Sequence, residues 1–401
     1  MRTFFLGSIP ALATAALVAC TSSDASQANG ANGTSDGGTT PDADGGPGNG
    51  DGDGNGAAKG TPLPATTFLF ARDTSTETNT RRHSVIAYDT ATGTERVVTD
   101  LRGDGSTGWE VSGIAIAPDR TRLAIASLYG PTKEDTDTGL ATRRLWSLTT
   151  DGTDFQRLTP VVPNQGGGKS GYSIPIDNPV FSRDGSELYY NFGTYWYEGT
   201  KLQGGSRTWR VASAANGTTP SQLDTNAPCT VIHPAVRPTT GELVLTHSVC
   251  AQGKAGLFLY PANGGEPAPL LEEGSYDFVV GGATVSYPVQ LALSTPSWAA
   301  DGSGFAFTGA IYKDGAWHRE AFAYDMNEKT FQEIVVPSTS DSSVENVTVK
   351  GDLTALAYCL RSPDPADTSR TVLNVHLVDL TKTPADDKAI TTDGKSCAPV
   401  W

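Results

Sequence analysis

From about residue 61 onward, apolar and polar positions alternate in short runs of four to eight residues broken by turns, and no stretch holds a helical period. Five runs share one pattern: GIAIAPDRTRLAIAS (113–127), NPVFSRDGSELYY (178–190), HPAVRPTTGELVLTH (233–247), TPSWAADGSGFAFTG (295–309) and ENVTVKGDLTALAYCL (345–360). Each reads as a β-hairpin. An apolar strand meets a tight turn at Asp119, Asp184, Thr239, Asp301 or Asp352, and a second apolar strand leaves it. Asp-Gly and its equivalents suit the positive φ of such turns. Leu123, Leu188, Leu243, Phe305 and Leu356 follow the turn residue at a constant offset of four, so the copies are in register.

Two weaker strands and another turn follow each hairpin, as in 143–160, 256–273 and 319–337. Four strands per repeat is the content of one propeller blade. Residues 67–100 supply a second strand (67–71), a third (84–89) and a fourth (95–99) without a first. The missing strand stands at the other end of the chain. Pro399-Val400-Trp401 matches Pro179-Val180-Phe181 and Pro296-Ser297-Trp298, the innermost strands of two repeats. The expected fold is therefore all-β: a six-bladed β-propeller over residues 61–401, closed by the C-terminal strand completing blade one.

The first sixty residues have a different texture. Met1-Arg2-Thr3 is followed by an apolar run, Phe4 to Ala19, too short to span a bilayer as a mature helix. It ends Leu17-Val18-Ala19-Cys20. That tetrad resembles the lipobox of bacterial lipoproteins, which implies a signal peptide over 1–20, cleavage before Cys20 and a diacylglycerol on its thiol. Thr21 in place of Asp points to the outer membrane rather than inner-membrane retention, on its periplasmic side or at the cell surface. Residues 21–60 hold 12 Gly and six Asp with no large apolar side chain, so they are expected to form a disordered tether. Asp51-Gly52-Asp53-Gly54-Asn55-Gly56 opens like a calcium loop, but Pro62 stands where the bidentate Glu belongs, so no metal site is assigned.

The repeats resemble the propeller of the TolB-like (WD-like) family, whose pattern is roughly Asn-x-x-Pro-x-Trp-Ser-Pro-Asp-Gly followed by Ile-Ala-Phe. Asn178, Pro179, Phe181, Ser182, Asp184 and Gly185 keep it in blade three, and Pro296, Trp298, Asp301, Gly302 and Phe307 in blade five. Blade two keeps Pro118 and Asp119 but has Arg120 in place of Gly. The resemblance implies fold and little else, because propellers host many unrelated activities. TolB itself carries an α/β domain ahead of its propeller, in the place where a signal and tether are expected in this chain.

The four cysteines after Cys20 are expected to pair, given export to an oxidising compartment. Cys229 and Cys250 lie symmetrically about the Thr239–Thr240 turn, directly opposite each other if the loop has two residues. Cys359 ends a second strand and Cys397 begins the closing strand, so their bond would lock the ring.

Charge and motifs narrow the function. There are 29 basic and 44 acidic residues, a net charge of −15, and removing residues 1–60 leaves 27 against 38. That balance argues against nucleic acid and anionic lipid surfaces as partners. Gly-x-Ser-x-Gly occurs at Gly33-Thr34-Ser35-Asp36-Gly37, inside the Gly/Asp-rich 21–60 stretch and without the flanking apolar strand that a nucleophile elbow needs. No His-Glu-x-x-His or Cys-x-x-Cys occurs, and Gly166-Gly167-Gly168-Lys169-Ser170 lacks the spacing and helix of a phosphate loop. The five histidines (His83, His233, His247, His318, His376) form no sequence cluster. No catalytic residue and no cofactor is assigned.

The loops between second and third strands, and those between blades, emerge on one face and are long. They carry Trp109, Tyr172, Tyr195, Trp196, Tyr197, Tyr276, Tyr287, Tyr312, Trp317 and His318. Aromatics in loops on a rigid scaffold are binding elements. Trp109, Tyr172, Tyr195, Trp196, Tyr197, Tyr312 and Trp317 are the candidate ligand-binding residues. The expected function is recognition or scaffolding by a monomer held at the envelope by its lipid, with an envelope protein, a peptide or a glycan as partner. The alternative is a polysaccharide lyase or glycoside hydrolase at the channel mouth, which requires paired carboxylates roughly 5–10 Å apart there.

Overall fold

In the computed structural model, the structure describes residues 59–75, 82–102, 111–127, 144–159, 171–198, 201–214, 219–223, 229–248, 250, 252–280, 283–291, 293–382 and 385–401. Cys20, the 21–58 stretch, Trp109 and the 166–170 loop lie outside them. No helix occurs among the described residues, and the strands form six small sheets.

In chain order, blade one has β1 (Thr67–Asp73), β2 (Arg82–Asp89) and β3 (Thr94–Arg102). Blade two has β4 (Val111–Ile116), β5 (Arg122–Ser127), β6 (Arg144–Thr149) and β7 (Gln156–Arg157). Blade three has β8 (Gly171–Phe181), β9 (Glu187–Glu198), β10 (Lys201–Ala212) and β11 (Ser221–Gln222). Blade four has β12 (Thr230–Val236), β13 (Leu243–Ser248), β14 (Gly256–Tyr260) and β15 (Ala268–Glu272). Blade five has β16 (Gly274–Val280), β17 (Ala283–Gln290), β18 (Ser297–Trp298), β19 (Gly304–Lys313), β20 (Ala316–Asp325) and β21 (Thr330–Val335). Blade six has β22 (Ser343–Val349), β23 (Ala355–Asp364), β24 (Asp367–Asp379) and β25 (Asp386–Ala389), and β26 (Ser396–Val400) follows.

The last strand closes the ring. β26 pairs antiparallel with β1, setting Val400 opposite Leu69 and Cys397 opposite Ala71, so the first sheet runs β26-β1-β2-β3. The innermost strands β26, β4, β8, β12, β18 and β22 touch in that circular order. Six apolar clusters fill the six gaps between neighbouring blades. Second strands are packed on both faces and are nearly continuous apolar runs: all six residues of β5 and the first eight of β19 are buried. Trp401 continues the closing strand. Its indole N–H donates to the Ala65 carbonyl at 2.8 Å, and its ring lies 5.3 Å from that of Phe68.

One device sets the turn register in four blades. The Oδ1 atoms of Asp119, Asp184, Asp301 and Asp352 each accept from the backbone N–H and the hydroxyl of the residue two ahead: Thr121, Ser186, Ser303 and Thr354. These donors favour the carboxylate, so Asp184 is pushed down to about 2 by Ser182 and Ser186. The residue between has φ of 57° at Arg120, 74° at Gly185, 68° at Gly302 and 57° at Leu353. Blade four has Thr239 in place of Asp. There Glu242 takes over, accepting from Thr240 and pairing with Arg237 at 2.9 Å.

Two expectations needed correction. Blade five has six strands, not four. Residues 274–290 form a hairpin whose second strand meets β19 at Val289↔Ile311. Its Tyr276 and Phe278 rings pack on Phe331, so Tyr276 is part of the core between blades four and five. In blade four, Cys229 and Cys250 are not directly opposite. A bulge at His233–Pro234 moves the register from Ala235↔Val244 to Ile232↔Thr246, one residue short of opposing the cysteines. They are joined all the same, as are Cys359 and Cys397, which ties β26 to blade six. The bulge recurs before the inner-strand prolines, where Asn178, His233 and Ala398 have φ of 49°, 57° and 56°.

Candidate functional site

The six inner strands enclose a central cavity of about 650 Å³. Its wall is largely apolar and includes Ile114, Phe181, Trp298, Val347, Val400 and Trp401. Ser112, Asn178, Thr295 and Asn346 are polar side chains toward its long-loop end. At the turn end Asp352 is the acidic group, and Lys350 Nζ neutralises it at 2.8 Å. Among the described residues no group of three or more His, Cys, Asp and Glu side chains converges as metal ligands would. The described lining therefore does not contain the paired carboxylates a glycosidase mouth requires.

The two ends of the ring differ in what occupies them. On the turn face, the chain leading into β1 is clamped to blade two. Gly60 N–H donates to Thr121 O at 3.2 Å, Thr61 N–H to Asp151 at 3.0 Å, and Leu63 N–H to Arg120 O at 3.0 Å. Arg120 returns the contact, with Nε on the Leu63 carbonyl at 2.9 Å and Nη2 on those of Pro64 and Thr67 at 3.0 and 2.6 Å. This explains why blade two has Arg where its repeat would have Gly: the side chain holds the incoming segment in place. Residue 59 thus leaves the ring on the turn face, and the long-loop face is the one free of that attachment.

On the long-loop face, blade five projects a two-residue hairpin. Lys313 pairs with Ala316 around Asp314 and Gly315, whose φ values of 54° and 82° suit a type I′ turn. Tyr312 lies directly opposite Trp317, and their rings are 5.4 Å apart, inclined at 60°. They are 40 % and 47 % exposed, the two exposed large aromatics among the described residues. Beneath them the hairpin is braced. Lys313 Nζ reaches Glu320 Oε1 at 2.5 Å and Glu333 Oε1 at 3.5 Å. Glu320 is fully buried, and burial with the neighbouring Glu333 carboxyl pushes it up to about 8, against the pull of Lys313. Burial works against the Lys313 charge as well, but its two carboxyl partners win and hold it above its ordinary value. Across the seam with blade six, Glu345 is gripped by Arg319 at 2.5 Å and Arg361 at 3.2 Å, and Arg319 also donates to the Leu293 carbonyl.

Of the other candidates, Tyr172 lies directly opposite Tyr195 in the β8–β9 ladder, and Trp196 and Tyr197 oppose Gln203 and Leu202 across β10. They are strand residues rather than loop residues, and their side chains, like all of Trp109, lie outside the described parts. His318 accompanies the hairpin, its Nε2 3.1 Å from the Lys313 carbonyl. Buried His247 lies 2.6 Å from the Tyr260 hydroxyl and stacks on Phe258, a core role. The sequence did not reveal the brace, because Lys313, Glu320 and Glu333 meet only through the β19–β20–β21 register. The signal that was present is Asp314-Gly315 between flanking aromatics.

No family model matches the sequence, and no curated protein matches it. Among solved structures, TolB from Acinetobacter baumannii aligns with a TM-score of 0.53 and 13 % identity, over 84 % of this chain and 66 % of that chain. Hydrazine synthase from Kuenenia stuttgartiensis aligns at 0.52 and 13 %, over 84 % of this chain and 46 % of that one. An oligogalacturonate lyase in complex with manganese aligns at 0.43 and 12 %, over 83 % of this chain and 82 % of that chain. At these identities the likeness is one of fold, and the fold is a TolB-like propeller.

Proposed function

We propose that this protein is a recognition module of the bacterial cell envelope, anchored through a lipid on Cys20 and binding a protein, peptide or glycan with its long-loop face. The observation that carries the reading is the Tyr312–Trp317 pair, held out from a braced hairpin on the face opposite the clamped 59–67 segment. Rigid aromatic anchors lose little conformational entropy on binding, which is why they dominate recognition surfaces.

Photo-crosslinking in intact cells tests this. A photoreactive residue replaces either Trp317 on the long-loop face or Leu353, comparably exposed on the turn face, in the full-length chain. Discrete adducts from position 317 and few from 353 are expected. Adducts from 353 alone would overturn the assignment of face, and degradation of an envelope glycan by the purified protein would overturn the non-enzymatic reading.

A further inference from the structure

We infer that the tip of the blade-five hairpin is a stacking subsite for one sugar ring of an uncharged glycan, an inference that rests on the recognition role of the long-loop face and specifies its ligand. Three observations converge. First, the exposed apolar surface of the described residues is small. Tyr312 and Trp317 stand together, whereas the other exposed large hydrophobics among the described residues are the scattered Val97, Val336 and Leu353. A protein partner needs about 800 Å² on each side, with some 20–30 residues. Two inclined rings instead suit a compact ligand.

Second, the rings are amphipathic in the manner a sugar requires. Their faces offer apolar contact for C–H groups, while the Tyr312 hydroxyl, the Trp317 indole N–H and the exposed Asp314 at the apex provide polar edges for hydroxyls.

Third, the charges flanking the tip are internally satisfied. Lys313 is spent on Glu320 and Glu333, and Arg319 is spent on Glu345. Apart from the exposed Asp314 carboxylate at the apex, little net charge is left to recruit an ionic ligand, and that carboxylate together with the overall charge of −15 disfavours an acidic polysaccharide. The brace serves a second purpose: with Lys313 locked beneath it, the hairpin is pre-organised and the rings need not be ordered on binding.

The test is calorimetric titration of the full-length protein with xylohexaose, cellohexaose, hexagalacturonate and a decaproline peptide. At least one of the two neutral hexasaccharides is expected to bind. Its Kd should change less than about twofold between roughly 0.05 and 0.5 M salt, because no ion pair is formed. Trp317→Ala and Tyr312→Ala should each weaken it about tenfold or more, and Trp317→Phe should retain most of the affinity. Both positions are exposed, so these variants are expected to keep the parent melting temperature, and each is to be checked by it. Four outcomes overturn the inference: neither neutral hexasaccharide binds, the alanine variants bind unchanged, only hexagalacturonate binds with steep salt dependence, or only decaproline binds. Adducts at position 317 without glycan binding would leave the face assignment standing and remove the sugar.

Discussion

Ring closure by β26 makes a prediction whose size follows from the structure. Two perturbations separate the covalent latch from the strand itself. The first removes the Cys359–Cys397 bond with alanine at both positions. The bonded residues are 38 apart, and a cross-link of that span restricts the unfolded chain by about 3.9 kcal/mol in the chain-entropy model. For a ring of about 340 residues, unfolding entropy of roughly 2.1 cal/mol/K per residue turns this into a fall of about 5 °C in Tm. The second perturbation deletes Pro399–Trp401. It strips half-buried Val400 from the cluster between blades one and two and half-buried Trp401 from that between six and one, at most about 1.5–3 kcal/mol each. It also removes the bonds from Trp401 N–H to Thr348 Oγ1 and from its indole to Ala65 O, about 1 kcal/mol apiece. The sum, at most about 5–8 kcal/mol, is comparable with the whole stability of an ordinary domain. Calorimetric melting of parent, double-alanine and truncated chains, with the Cys229–Cys250 pair replaced as a control of about 3.3 kcal/mol for its 21-residue span, provides the comparison. The truncated chain should melt far lower than either cysteine variant or fail to fold. A truncated chain with the parent Tm refutes closure by β26, and an unchanged Tm for the double-alanine chain refutes the latch.

Other perturbations reach the turns and the brace. Arg120→Ala keeps the strained φ but loses three bonds to the 63–67 segment, so it should cost about 2–4 kcal/mol by denaturant unfolding, whereas Arg120→Gly recovers part of that by relieving the strain. Asp184 and Asp352 titrate lower in the folded chain than unfolded, so their stabilisation is complete above about pH 4 and is lost as pH falls through their folded values. Asp184→Asn should therefore flatten the acid limb of a Tm–pH profile, and an unchanged limb would count against the turn device. Glu320 titrates higher when folded, so the folded chain holds a proton the unfolded chain has released, and stability should decline as pH rises from about 4.5 toward 8. Glu320→Gln carries no such proton and should remove that decline, gaining on the parent at pH 8 relative to pH 5 by thermal melting.

The ring could be read from the chain because its register is local. An Asp, a positive-φ residue and a Ser or Thr fix the turn within four positions in four of the blades, and the apolar runs of the second strands follow from packing on both faces. What escaped the sequence depends on register over longer distances. The residue before a proline is ordinarily extended, so nothing local announces the positive φ of His233 that displaces Cys229 from Cys250. Residues 274–290 do carry a hairpin signal, with Tyr276, Phe278 and Val280 alternating ahead of Gly281-Gly282 and Val285, Tyr287 and Val289 after it. The repeat pattern leaves no place for an extra hairpin, which joins blade five through long-range contacts of Tyr276 and Phe278 with Phe331. At the site, Tyr312 and Trp317 were visible as exposed aromatics. The brace that makes them a rigid pair was not, since an ammonium and two carboxylates from three strands carry no sequence spacing of their own.

The central claim is that this closed ring meets its partner with the long-loop face. Hydrogen–deuterium exchange of the full-length protein, free and with the partner captured by crosslinking, addresses it directly. Protection is expected at 310–319 and in neighbouring long-loop segments, with the Asp119, Asp184, Asp301 and Asp352 turns unchanged. Protection confined to those turns, with 310–319 exchanging as in the free protein, would contradict it.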